Sequence, residues 1–141
     1  MENAKLLLQP VVVLVLWTFV MWAWMYATRI PAITRMKMVL DPQRVNGAQM
    51  AELPASVRWK ADNYNHLLEQ PVLFYAVAIA LATLGDASTL SVALAWAYVV
   101  LRVVHSFVQA LINKIELRFG LFAISSLVLL ALTVRAAMQL C

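Results

Sequence analysis

Counted from Arg102, the residues His105, Ser106, Gln109 and Asn113 lie 3, 4, 7 and 11 positions further along the chain. That spacing sets all five on one face of a helix. A second group, Arg58, Asp62, Asn65, His66 and Glu69, shares a face by the same rule. Such side chains admit several chemistries. A guanidinium is always charged and favours the thiolate of a neighbouring thiol. Arg102 with Glu69 can form an ion pair. His66 and His105 could ligate a haem between helices, although two histidines alone carry little weight. Ser106 and Gln109, like Ser125, Ser126 and Thr133, can also bond one helix to the next, at around 1 kcal/mol each.

These polar residues sit in an apolar chain. Of 141 residues, 64% are hydrophobic and 13% are charged, against about 25% charged in a soluble domain. A chain this short cannot bury so much apolar surface in its own core, so lipid must solvate much of it. Four apolar runs, about residues 6–28, 66–84, 89–112 and 119–137, are long enough to span as helices. Strands are disfavoured, because open sheet edges cannot face lipid. The expectation is an all-α integral membrane protein of one domain over residues 1–141, a four-helix antiparallel bundle. The opening segment does not read as a cleaved signal, because its apolar run is long enough to span. Cys141, the single cysteine, can form no internal disulfide, which excludes oxidoreductases that use paired thiols.

The connections differ. Gly85-Asp86-Ala87-Ser88 and Asn113 to Arg118 are short links that force antiparallel neighbours. The first connection, residues 29–62, is long and holds turn signals at Asp41-Pro42, Asn46-Gly47 and Leu53-Pro54. Ser56 is the expected N-cap of a second helix beginning near Val57 and running into the membrane. Trp17, Trp22, Trp24, Tyr26 and Trp96 read as interface anchors or packing.

The net charge of +4 does not point to nucleic acid, because its basic residues cluster between the spans. Arg29, Arg35, Lys37, Arg44, Arg58 and Lys60 lie in the first connection, and Lys114 and Arg118 in the third. The positive-inside rule puts both connections in the cytoplasm and both termini outside it. A bacterial inner membrane is the expected location. Glu69 then lies about 5 Å into the second helix and Arg102 about 15 Å from the end of the third, at 1.5 Å per residue. An intramembrane arginine costs at least a few kcal/mol unless paired or hydrated, so Glu69 is its expected partner. Arg118 opens the fourth helix on the same side, and residues of three helices converge there.

The run Arg102-Val103-Val104-His105-Ser106, with Arg118 thirteen residues after the histidine, closely resembles the third and fourth helices of the membrane-associated proteins in eicosanoid and glutathione metabolism, the MAPEG family. It is nearest to the family's microsomal prostaglandin E synthase and glutathione transferase branches. The segment from Ala61 to Pro71, with Asn65, Glu69 and Pro71, resembles the family's second-helix signature. The resemblance implies a homotrimer with glutathione as co-substrate between subunits near the cytoplasmic surface. It puts Arg118 against the glutathione sulfur and Asn65, Glu69, His105 and Arg102 in the binding set. Arg35 or Lys37 would meet a glutathione carboxylate. A chain with no usable cysteine must borrow its thiol. A thiolate at the membrane surface can attack a lipophilic electrophile or reduce a lipid hydroperoxide. The partners implied are the bilayer, further copies of the chain and a hydrophobic small molecule. The rival reading is a non-catalytic membrane subunit that keeps the scaffold for assembly. A small multidrug exporter ranks below both, since the first helix has no acid within its span and Glu69 lies near the surface.

Overall fold

The structure, a computed structural model, describes residues 2–141. Helix α1 runs from Glu2 to Arg35, past the expected end at Thr28. It stops in a paired-turn cap. The Lys37 amide donates to Thr34 O at 3.1 Å and the Met38 amide to Ile33 O at 3.2 Å. Lys37 takes the left-handed conformation usually given to glycine at this position, with φ 49°. The non-helical part of the first connection is therefore shorter than 29–62. Within it Gln49 acts as a brace: its Oε1 accepts from the Asp41 amide at 2.8 Å and its Nε2 donates to Val39 O at 2.7 Å. A short 3-10 turn, Met50–Glu52, follows.

Helix α2, Ala55–Leu67, does not begin at a Ser56 cap. Pro54 holds extended backbone, and its carbonyl accepts from the Val57 and Arg58 amides, so the helix starts ahead of Ser56. The second crossing is also not one helix. It breaks at residues 68–70 and resumes as α3, Pro71–Thr83. Proline has no N–H to return to the Leu67 carbonyl, and its fixed φ suits the first turn of a new helix.

Gly85, with φ +79°, turns the chain into α4, Thr89–Phe107. Ser88 caps α4 by accepting from the Ser91 amide at 3.3 Å. A π-turn, Val108–Ile112, follows directly, and α5 runs from Ile115 to Leu140. The molecule is thus an all-helical bundle with four candidate membrane spans, at Glu2–Arg35, Ala55–Thr83, Thr89–Ile112 and Ile115–Leu140. Its core is apolar along most of its length, with Leu7, Leu14, Met21, Phe74, Tyr98 and Leu132 fully buried. Phe74 and Tyr98 stack at 4.6 Å between α3 and α4. Phe19, Phe119, Leu127 and Leu130 face outward, as a surface solvated by lipid requires.

Candidate functional site

Polar burial concentrates where the π-turn end of α4 meets α2. Arg102, Ser106 and Asn63 are wholly buried, and His105 and Gln109 nearly so. The helical stripe on α4 therefore points into the bundle. Arg102 Nη2 lies 2.9 Å from His66 Nδ1. A guanidinium only donates, so Nδ1 accepts and the His66 proton sits on Nε2. The His66 ring packs on His105 at 5.1 Å and edge-on against Phe122 of α5 at 5.5 Å. Trp17 of α1 donates to Ser106 Oγ at 3.0 Å, and Ser106 donates to the Arg102 carbonyl at 2.9 Å.

What this cluster lacks matters as much. Arg102 Nε and Nη1, His105 Nδ1, Gln109 Oε1 and both amide atoms of Asn63 are buried with no partner among the described residues. A buried polar atom left alone costs about 1–3 kcal/mol. These atoms therefore call for water, a ligand or a neighbouring chain.

The expected ion pair between Arg102 and Glu69 is not formed. Glu69 falls in the break between α2 and α3 and is exposed. The break turns it off the face that carries His66, and His66 takes the arginine instead. Gln70 is the residue of the break that faces inward. It accepts from the Tyr98 hydroxyl at 3.2 Å and donates to Ser126 Oγ at 2.8 Å, which ties the break to α4 and α5.

Arg118 stands in the first turn of α5, half-buried. Its Nη1 donates to Asn113 Oδ1 at 2.5 Å. The remaining candidates lie apart within one chain. Asn65 is exposed and lines a cavity of about 360 Å³ shared with Arg29, Arg58, Asp62 and the first connection. Arg29 Nε is itself buried without a partner. Arg35 lines a different cavity of about 400 Å³, between the end of α1 and the start of α2. Asp62, Asn65 and Glu69 thus form an outward polar face on the second crossing. One chain brings Arg102, His105 and His66 together and pairs Arg118 with Asn113, but it does not gather all of these residues into one cavity.

Two residues of the cluster escape sequence reasoning. Asn63 lies off the stripe of Arg58, Asp62 and Asn65, so that periodicity hides it. Gln70 is visible only once Pro71 is read as the start of a helix.

Residues 7–138 match the family model of the MAPEG family. The chain belongs to the MAPEG family. No curated protein and no solved structure matches it. Membership accords with the all-helical, membrane-spanning architecture, and it assigns the chain in general to membrane-associated glutathione- and eicosanoid-related function. For this MAPEG protein the half-buried arginine of α5 and the unsatisfied interior of α4 are the places where such a function has residues to work with.

Proposed function

We propose that this MAPEG protein is a membrane-embedded glutathione-dependent transferase or peroxidase acting on hydrophobic electrophiles or lipid hydroperoxides. The observation that carries the reading is Arg118, half-buried in the first turn of α5, where the helix N-terminus already favours negative charge. Lys114 immediately precedes that helix and adds positive potential. The unpartnered donors and acceptors of Arg102, His105 and Gln109 suit a peptide that carries carboxylates, an amine and amides. Asn65 and Glu69 face outward, which suits a site completed by a neighbouring copy in a homotrimer. Arg35 lies toward the same connection and would meet a carboxylate of the peptide.

Glutathione supplies a thiol whose sulfur forms a bond to the electrophilic carbon while the leaving group departs with the bonding pair and the thiol proton passes to water. Arg118 favours the ionised sulfur by charge and by N–H donation. The surrounding apolar helices admit the lipophilic partner from the bilayer and keep bulk water away. The basic first and third connections support placing both in the cytoplasm, with Cys141 on the far side. Cys141 is exposed, so an impermeant thiol reagent should label it in intact cells; labelling only after lysis reverses the orientation.

The activity test is conjugation of glutathione to a general aryl halide in wild type, Arg118→Ala and Arg118→Lys. Loss of the arginine should slow the reaction by roughly tenfold or more, equivalent to one unit or more in thiol pKa. The oligomer should remain intact, and lysine should restore part of the rate, since it keeps the charge but loses the planar fork. An unchanged rate in Arg118→Ala removes the arginine from catalysis and favours a non-catalytic MAPEG subunit.

A further inference from the structure

Arg118 depends on the turn before it. The π-turn ends at Asn113, whose amide donates to Val108 O at 2.6 Å. Asn113 then takes the left-handed conformation, φ 51° and ψ 37°. The sharp change of direction lets a side chain at the end of one span reach over the first turn of the next. Its Oδ1 accepts from Arg118 Nη1 at 2.5 Å. Among the described residues this is the one side-chain hydrogen bond that Arg118 makes.

Few residue types could serve both ends of this arrangement. Most side chains are strained at positive φ, while asparagine visits it readily. Glycine would adopt the backbone but offer no acceptor. Aspartate would adopt it and offer a full negative charge, which would neutralise the guanidinium. Asparagine combines a readily adopted left-handed backbone with a short, neutral oxygen acceptor. The guanidinium is thereby held through Nη1, while Nε and Nη2 remain available and the charge is undiminished.

We propose that Asn113 is a positioning residue that aims Arg118 at the sulfur of bound glutathione. The proposal rests on the reading of Arg118 given above. It assigns the π-turn a purpose beyond ending α4: the turn presents the acceptor that orients the arginine. A merely structural Asn113 would cap the turn and leave the thiol untouched.

The experiment follows thiolate absorbance of glutathione, as a function of pH, with the full-length protein purified as its oligomer. The variants are Asn113→Gly, Asn113→Asp, Arg118→Ala and the double variant Asn113→Gly with Arg118→Ala. Arg118→Ala should raise the bound thiol pKa by on the order of 1–3 units. Asn113→Gly keeps the backbone conformation and should raise it by a part of that, about one unit or less. Asn113→Asp should raise it at least as far, because a carboxylate now competes for the guanidinium. The double variant should be no worse than Arg118→Ala alone. If Asn113→Gly does not fold, Asn113→Asp carries the test, since aspartate also tolerates the left-handed region. A wild-type thiol pKa in both Asn113 variants, with a raised one in Arg118→Ala, overturns the positioning role and leaves the function reading standing. An unmoved pKa in Arg118→Ala overturns that reading, and the role of Asn113 falls with it.

Discussion

Helix α4 carries polar groups at both ends, and the two ends are finished differently. At its start, Arg135 of α5 donates through Nε to Ser91 Oγ at 2.6 Å and through Nη2 to Ser88 Oγ at 2.8 Å. Asp86 lies 3.7 Å from the same guanidinium and accepts from the Ser91 hydroxyl and, at 2.9 Å, from the Ser88 amide. Every buried side-chain polar atom described there has a partner. At the other end Arg102 bonds His66 with one nitrogen and leaves two without a partner, beside unpartnered atoms of His105 and Gln109. Asp86 and Ser91 are buried at one end as Arg102 and Ser106 are at the other, with Arg135 partly exposed, so burial alone does not set the two apart. Satisfaction does. A closed network is a clasp that holds helices together, whereas an open one still has bonds to offer.

The largest expected effect separates the two ends by function. Arg102→Met replaces a guanidinium with two orphaned nitrogens by an apolar chain of comparable length. It also removes the donor to His66 Nδ1, so it should cost about 1–3 kcal/mol of stability. Glutathione affinity should fall by about 10–100-fold, the loss of one or more charge-assisted hydrogen bonds. Calorimetric binding alongside a thermal melt checks both halves. A large drop in melting temperature with affinity retained makes the cluster structural.

Asp86→Ala should do the opposite. It leaves the Ser91 hydroxyl and the Ser88 amide without their acceptor and Arg135 without its neighbouring countercharge, and should cost about 2–3 kcal/mol of stability, with glutathione affinity unchanged. Thermal unfolding of the purified protein measures this. Equal loss of affinity would join the two ends into one functional unit and break the contrast.

The clasp also sets a pH dependence. Burial pushes the Asp86 carboxyl up, but hydrogen bonds from Ser91 and Ser88 and the Arg135 charge outweigh it and hold the group below its ordinary value of 3.8. A depressed folded pKa contributes stability that is fully present above the unfolded value. That contribution is lost as pH falls below 3.8 and through the folded pKa. Melting temperature should therefore decline over that acidic window in wild type and less steeply in Asp86→Asn. Identical profiles would show that the carboxylate charge is not what the clasp uses.

The smallest effect is expected at Trp17. Phenylalanine keeps the ring against Phe107 and removes the bond to Ser106, which should cost about 1 kcal/mol. A melt within error of wild type would mean that Ser106 is held by the Arg102 carbonyl alone.

The sequence discloses one of these ends far better than the other. The stripe of Arg102, His105, Ser106 and Gln109 is legible because helical period alone places it on one face, and lipid excludes that face from the outside. The four spans are legible for the same reason. The clasp is not, because Asp86 lies in the turn before α4 and Arg135 comes from α5, far along the chain. The partner of Arg102 differs from the expected Glu69 because only an unbroken second crossing would carry Glu69 on the stripe facing the arginine. Pro71 interrupts that crossing, so Glu69 leaves the stripe and His66 takes its place. Asn63 stays hidden beside more conspicuous charged neighbours that face the opposite way. Family resemblance singles out Arg118, yet only the left-handed turn at Asn113 reveals what holds it.

Direct titration of the purified protein with glutathione tests the central claim most closely. Saturable binding is expected at neutral pH, weakened in Arg102→Met and unaffected in Asp86→Asn. Folded protein that takes up no glutathione at millimolar concentration would contradict the account and leave the open end of α4 as an assembly surface.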